Sequence, residues 1–109
     1  MGDVVWALIP FSDGSGAKHR PTIILKVSFP PCKYLVVECS TFKDKHKSMK
    51  GIKISNIDNT KEFQECGFDE TTFITQNKCW VKEGMLHPHP TRGDNPIGKC
   101  NFLDQINGA

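Results

Sequence analysis

Three consecutive side chains near the N-terminus carry the strongest chemical signal in this sequence. Lys18, His19 and Arg20 close a small polar loop and directly precede the apolar run "PTIILKV". A loop that only reverses the chain uses Gly, Ser and Asp, and it has no need of three basic residues. Arg20 offers a planar, always-charged fork that suits phosphate, and His19 is of the type that titrates near neutrality. The pair therefore has the chemistry to hold a phosphodiester and move a proton; a surface arginine beside a surface histidine is the plainer alternative.

Two hydroxyl residues form a second polar pair. Ser40 and Thr41 end the apolar segment "KYLVVECST". At the tip of a strand, their hydroxyl groups are expected beside the loop of the neighbouring strand. Serine and threonine are common at strand ends, so this pair gains weight only together with His19 and Arg20.

A lysine-rich segment, "FKDKHKSMKGIK", spans residues 42–53. We interpret it as a hairpin arm whose alternate positions face solvent, and its lysines as contacts for the phosphates of a nucleic acid. The alternative is an edge strand that uses lysines only to prevent aggregation. Further along, His87 and His89 have no carboxylate or thiolate at ligand spacing, which favours an exposed loop over a metal site.

The elements that position these residues are predicted to be mostly strands. Alternating apolar and β-branched residues in "GDVVWALIPF", "PTIILKVSF" and "KYLVVECST" predict three strands of an antiparallel meander, the second beginning at Pro21. "TTFITQNKCWV" predicts another strand, "NTKEFQECG" a short helix or turn, and "IGKCNFLDQI" a strand with a helical turn. The sequence thus predicts one unit over residues 1–109, a mostly β protein of about five to seven strands, with a small barrel as the first architecture.

Bulk composition limits the classes of function. The chain has 109 residues, a formal charge of +2 and 38% hydrophobic residues, with no apolar run long enough to span a bilayer. No basic segment followed by an apolar stretch opens the sequence, so we expect no signal peptide, no membrane and a cytoplasmic location. Five cysteines without a C-x-x-C pair argue against a disulfide framework and a compact zinc site. We expect small core hydrophobes instead, and neither metal nor cofactor.

These motifs together resemble a known family. "GDVVW", a Gly-Ser loop, "HRP" before an apolar strand, a strand ending in "CST" and a distant "IGK" resemble the MazF/PemK/Kid family of toxin endoribonucleases, over roughly residues 2–103. The resemblance implies a small SH3-like barrel that forms a homodimer. It also implies sequence-selective cleavage of single-stranded RNA, without a metal, by attack of a ribose 2′-hydroxyl on the adjacent phosphate. Growth inhibition and restraint by a cognate antitoxin protein are further implications.

The resemblance also implies roles for individual residues. Arg20 falls on the essential arginine of members with an "HRP" loop, and His19 lies beside it as a group for proton transfer. Ser40 falls on the family's phosphate-contacting threonine, with Thr41 as a second candidate. The residues expected to bind RNA are Lys18, Lys43, Lys45, Lys47, Gln76 and Trp80.

One departure from the family pattern leaves the activity open. Many members carry an Asp-Gln pair at the start of the later strand, whereas this chain has Thr75-Gln76. Either His19 with Arg20 suffices for cleavage, or an acid such as Glu38 replaces the missing aspartate, or the barrel has lost the cleavage activity. In the last case the protein is an RNA- or protein-binding module, for example an interaction protein of a phage or mobile element.

Overall fold

The computed structural model describes residues 1–11, 13–30 and 32–107, and within them the chain forms one six-stranded antiparallel sheet. The predicted unit over residues 1–109 includes residues 12, 31, 108 and 109, which lie outside this description. The strands are β1 (Asp3–Pro10), β2 (Ala17–Ser28), β3 (Lys33–Thr41), β4 (Ile52–Ile54), β5 (Thr72–Lys82) and β6 (Gly98–Lys99). Two short α-helices, α1 (Thr60–Cys66) and α2 (Leu103–Asn107), and two 3₁₀ segments, Asp44–Ser48 and Glu83–Met85, complete these elements. The mostly β prediction is confirmed.

The sheet follows the order β4-β5-β3-β2-β1-β6 and curls into half of a barrel. The predicted meander of the first three strands is confirmed, and β5 pairs with β3 to extend it. Alternation along each strand produces two apolar faces. Ile23 and Val37 pair across β2 and β3 on the face that packs against Phe63 of α1, whereas Ile24 and Val36 pair on the opposite face.

Strand β2 begins earlier than predicted. The sequence places its start at Pro21, but the strand runs from Ala17, so Lys18, His19 and Arg20 lie within the strand and not in a loop. Pro21 is tolerated because its partner on β1 is Trp6, and the Trp6 backbone bonds elsewhere. The Asn95 side chain accepts the Trp6 N–H at 2.6 Å and donates to its carbonyl at 3.0 Å. The missing N–H of proline therefore costs no bond to β1.

The lysine-rich segment also differs from its prediction. Residues 44–48 form a 3₁₀ helix instead of a hairpin arm, and only Ile52–Ile54 joins the sheet. The cause is His46, a residue that is 5% exposed and whose ring stacks on Phe73 at a centroid distance of 4.5 Å. Burying this ring requires the chain to turn inward, while the lysines on either side remain exposed as predicted.

Cysteine burial agrees in part with the sequence. Cys39, Cys66 and Cys100 are buried in the core, as predicted, and burial raises the pKa of the Cys39 thiol so that it stays neutral. Cys32 and Cys79 are only half-buried. No helix in the described part of the chain is long and apolar enough to cross a membrane.

Candidate nucleic-acid interface

The antiparallel pairing of β2 with β3 brings the predicted site residues together. Their ladder ends at the pair Thr22 and Glu38. Because the strands run in opposite directions, residues before Thr22 lie alongside residues after Glu38. His19 and Arg20 therefore lie near the end of β3 that carries Ser40, and all three line a cleft that opens where the two strands stop pairing.

We call this cleft, of about 220 Å³, the cationic cleft. Basic side chains from β2, from the turn after β3 and from the loop before β6 surround it, and no Asp or Glu is among the described residues that line it. Such a surface attracts anions, and phosphate above all. The lining residues are Trp6, Lys18, His19, Arg20, Pro21, Cys39, Ser40, Thr41, Lys43, Lys45, His46 and Arg92.

His46 forms the floor of the cationic cleft and was not singled out from the sequence. Its Nδ1 accepts the backbone N–H of Lys43 at 2.9 Å, which places the proton of the neutral ring on Nε2. Nε2 lies 3.5 Å from the Ser40 hydroxyl oxygen. Burial lowers the pKa of His46, with Lys45 and Lys43 adding to the effect, so the neutral ring is favoured. The ring therefore donates toward Ser40, whose own hydroxyl proton is left to point at a ligand.

Arg20 lies at the edge of the cationic cleft and is not locked into an ion pair. Its Nε is 4.0 Å from the Glu38 carboxylate, and the side chain is 32% exposed. At that separation the guanidinium keeps donors for a further anion. Arg20 also lines a second cleft beside Trp80.

The two hydroxyl residues of β3 have different partners. Ser40 approaches His46, whereas the Thr41 hydroxyl donates to the Glu70 carboxylate at 3.1 Å. Thr41 lines the cationic cleft, but its hydroxyl proton is occupied. Ser40 is therefore the better placed of the two to donate to an anion.

A loop between the second 3₁₀ segment and β6 closes one side of the cationic cleft. Arg92 lies 5.3 Å over the Trp6 ring and pairs with Asp69 at 3.2 Å and Glu70 at 3.6 Å. The ring of His89 packs 4.9 Å from Trp6. The prediction of an exposed loop holds for His87 but is wrong for His89, which is half-buried because an aromatic partner from β1 covers it.

His89 is held as a neutral ring by the turn that follows it. Its Nδ1 accepts the N–H groups of Thr91 and Arg92 at 3.1 and 3.0 Å. Burial lowers the pKa of His89, and the nearby His19 and Arg92 lower it further. The ring of His19 lies 5.5 Å away in an edge contact, so His89 supports His19 at the wall of the cationic cleft.

Three predicted RNA-binding residues lie outside the cationic cleft. Lys47 is exposed and pairs with Asp44 at 3.4 Å, and Gln76 lines a separate small cleft beside Ile106. Trp80 lines the second cleft together with Arg20. Thr75, which stands where the sequence resemblance leads us to expect an aspartate, has a structural contact: its hydroxyl donates to the Glu38 carbonyl at 2.9 Å, where the register of β3 and β5 shifts.

Comparisons of the chain with models of protein families, with curated proteins and with solved structures give no match. Within residues 1–11, 13–30 and 32–107, no three His, Cys, Asp or Glu side chains are grouped as a metal ion would need. The geometry of the cationic cleft therefore carries the functional argument.

Proposed function

We propose that this protein is an endoribonuclease that cleaves single-stranded RNA at selected sequences without a metal ion. The observation that carries the proposal is the position of Arg20, His19 and Ser40 around one cleft that has no Asp or Glu among its described lining residues. The cleft offers cations and hydroxyl groups, the donors that a phosphate takes. Mg²⁺ instead prefers carboxylate oxygens, and no Asp or Glu is among the described residues that line this cleft.

The reaction would be an attack of the ribose 2′-hydroxyl on the adjacent phosphate. The O2′–P bond forms, the bond from phosphorus to the 5′-oxygen breaks, and the products carry a 2′,3′-cyclic phosphate and a 5′-hydroxyl. Arg20 would neutralise the charge that builds up on the phosphate oxygens, and Ser40 would donate a hydrogen bond to one of them. His19 would transfer the protons, while Lys18, Lys43 and Lys45 hold neighbouring phosphates.

Finer features of the resemblance belong to the same proposal. The half-barrel sheet would be an SH3-like barrel, and two copies would form a homodimer in the cytoplasm. A cognate antitoxin would restrain the activity, and unrestrained protein would inhibit growth. The positive lining of the cationic cleft supports an acidic partner segment as the inhibitor.

A second candidate function is a module that binds RNA or a protein without cutting. Thr75 favours it, because its hydroxyl is bonded to the Glu38 backbone and supplies no acid. His46 favours it as well, because its Nδ1 is blocked by Lys43 and its Nε2 carries the proton. In this case Arg20 and the lysines would still bind phosphates.

Cleavage of a long mixed-sequence RNA in EDTA tests the proposal. Arg20→Ala should lower the rate by about 10²-fold or more, since one lost charge-stabilising donor typically costs that much. Arg20→Lys should retain part of the rate, and Lys26→Ala, an exposed lysine on the same strand, should retain all of it. Mapped fragments should end in cyclic phosphate at a recurrent short sequence.

The other outcomes separate the candidates. RNA that is bound but stays intact at high protein concentration would establish the binding module. Cutting that is equal in wild type and Arg20→Ala would place the chemistry elsewhere. Absence of both binding and cutting would reject RNA as the substrate.

A further inference from the structure

The second cleft is larger than the cationic cleft and has a different character. It measures about 570 Å³ and has an apolar base formed by Ile9, Val81 and Met85. Trp80 stands at its edge, 48% exposed, and Phe11 is 41% exposed. We call it the aromatic cleft. A concave apolar surface with a few polar groups is typical of a ligand site.

Arg20 joins the two clefts, because its side chain lines both. In a single-stranded nucleic acid, each base is linked to its own phosphate through one sugar. A phosphate held by Arg20 in the cationic cleft therefore leaves an adjacent base within reach of the aromatic cleft. We propose that the aromatic cleft binds one unstacked nucleobase of the RNA, with Trp80 as the stacking surface; this inference rests on the proposed function.

Charge favours a different part of the nucleotide in each cleft. The aromatic cleft is lined by one carboxylate, Glu38, beside two cations, Arg20 and Lys78, whereas only cations and no acid line the cationic cleft among the described residues. Glu38 makes the aromatic cleft the weaker of the two sites for a phosphate, but it does not repel the flat, uncharged face of a base. The backbone of the RNA thus follows the lysines, and the base turns toward Trp80.

Glu38 also gives the aromatic cleft a base preference. A carboxylate only accepts hydrogen bonds, so it fits a base edge that carries an amino group, such as the N4 amino group of cytosine. Uracil presents a carbonyl oxygen at the same position, which a carboxylate repels. Asn77 lines the same cleft and is exposed. Its side-chain amide both donates and accepts hydrogen bonds, so it can bond to the remaining polar atoms on the edge of the base. We therefore expect cytosine to bind better than uracil.

The test uses fluorescent single-stranded hexamers of 2′-O-methylcytidine and 2′-O-methyluridine, which lack the attacking hydroxyl and cannot be cleaved. Fluorescence anisotropy gives the dissociation constant of each hexamer with purified full-length protein. We expect the cytosine hexamer to bind about tenfold more tightly, the discrimination of one good polar contact to a base edge. Glu38→Gln should bring the ratio of the two constants close to one, because an amide also donates to uracil.

Trp80 is tested in the same assay. Trp80→Ala should weaken binding of the cytosine hexamer about tenfold, as expected for one lost base–aromatic stack, and Trp80→Phe should keep most of the affinity. Phe29→Ala, at a 74% exposed aromatic residue that lines neither cleft, is the matched control and should bind as wild type. Acrylamide quenching reports on Trp80 in the free protein, because Trp6 is only 7% exposed.

Each contrary outcome has a distinct meaning. Hexamers that bind Trp80→Ala as tightly as wild type would overturn the base site and leave the proposed function intact. Hexamers that do not bind wild type would overturn the base site, and the cleavage of mixed-sequence RNA in EDTA would then decide the proposed function separately. Trp80 protected from acrylamide without RNA, with self-association in sedimentation, would show that a second copy covers the aromatic cleft and would overturn the base site.

Discussion

The Nε2 atom of His46 lies 3.5 Å from the hydroxyl oxygen of Ser40, and the position of the ring proton gives this contact its direction. Lys43 donates its backbone N–H to Nδ1, so Nε2 is the protonated nitrogen of the neutral ring. His46 cannot then remove a proton from Ser40. It fixes the serine oxygen as an acceptor, which turns the serine proton toward the cationic cleft.

Substitutions of His46 separate its two contacts. An asparagine places its oxygen near the site of Nδ1 and keeps the bond to Lys43, whereas a glutamine places its nitrogen near Nε2 and keeps the donor to Ser40. We expect His46→Asn to slow single-turnover RNA cleavage about tenfold, the equivalent of one net hydrogen bond, and His46→Gln to slow it less. Ser40→Ala should slow it about 10²-fold.

The double variant decides whether His46 acts through Ser40. If it does, adding His46→Asn to Ser40→Ala should cause little further loss of rate. Losses that multiply would show that His46 acts independently of the serine. Thermal unfolding of each variant shows whether the protein remains folded.

Stability should depend on pH through His46 and His89. Burial lowers the pKa of both rings below the ordinary value of 6.5. As the pH falls below about 6.5, the unfolded chain takes up protons at these rings and the folded chain does not, so the free energy of unfolding decreases. The decrease levels off once the pH passes the folded-state pKa values. Urea denaturation between pH 8 and 5.5 measures it.

His46→Gln removes one of the two titrating groups and should flatten this pH dependence. His87→Gln, at an exposed position of the loop that carries His89, is the control and should preserve it. An equal slope in wild type and His46→Gln would contradict the assignment of the effect to His46.

The strands and the placement of His19 and Ser40 at one cleft were predictable because both depend on local pattern. Alternating apolar residues define β1, β2 and β3, and a short connection makes neighbouring strands antiparallel. Asn59 before α1 and Gly67 after it, with a φ of 77°, frame that short helix in the sequence.

Residues that depend on distant partners were not predictable. A histidine among lysines gives no spacing signal, and His46 is buried only because Phe73 of β5 stacks on it. Pro21 fits inside β2 because Asn95, far along the chain, takes the backbone bonds of Trp6, its partner on β1. The same asparagine anchors the loop that brings Arg92 to the cationic cleft.

The salt dependence of the RNA dissociation constant should show which lysines contact phosphate. Each Lys–phosphate contact releases bound counterions, so losing one should reduce the slope of log Kd against log salt by about 0.7 for a single strand. We expect this change for Lys43→Ala and Lys45→Ala, equally with cytosine and uracil hexamers. Lys61→Ala, on α1 and outside both clefts, is the control. If Lys43→Ala or Lys45→Ala leaves the slope unchanged, the lysine replaced in that variant does not contact an RNA phosphate.

Gly98 should be intolerant of a side chain because α1 packs directly on β6. A Cβ atom at position 98 would overlap the backbone carbonyl of Cys66, at the last turn of α1, and backbone cannot move aside as a flexible side chain can. We expect Gly98→Ala to lower the free energy of unfolding by about 1–3 kcal/mol, as for an overpacked core, measured by urea denaturation. Gly84→Ala, with open space around the added atom, should change it by less than about 0.5 kcal/mol. Equal stability of the two variants would mean that α1 shifts away from β6 at little cost. In that case the packing of the helix on the sheet would not explain the glycine in "IGK".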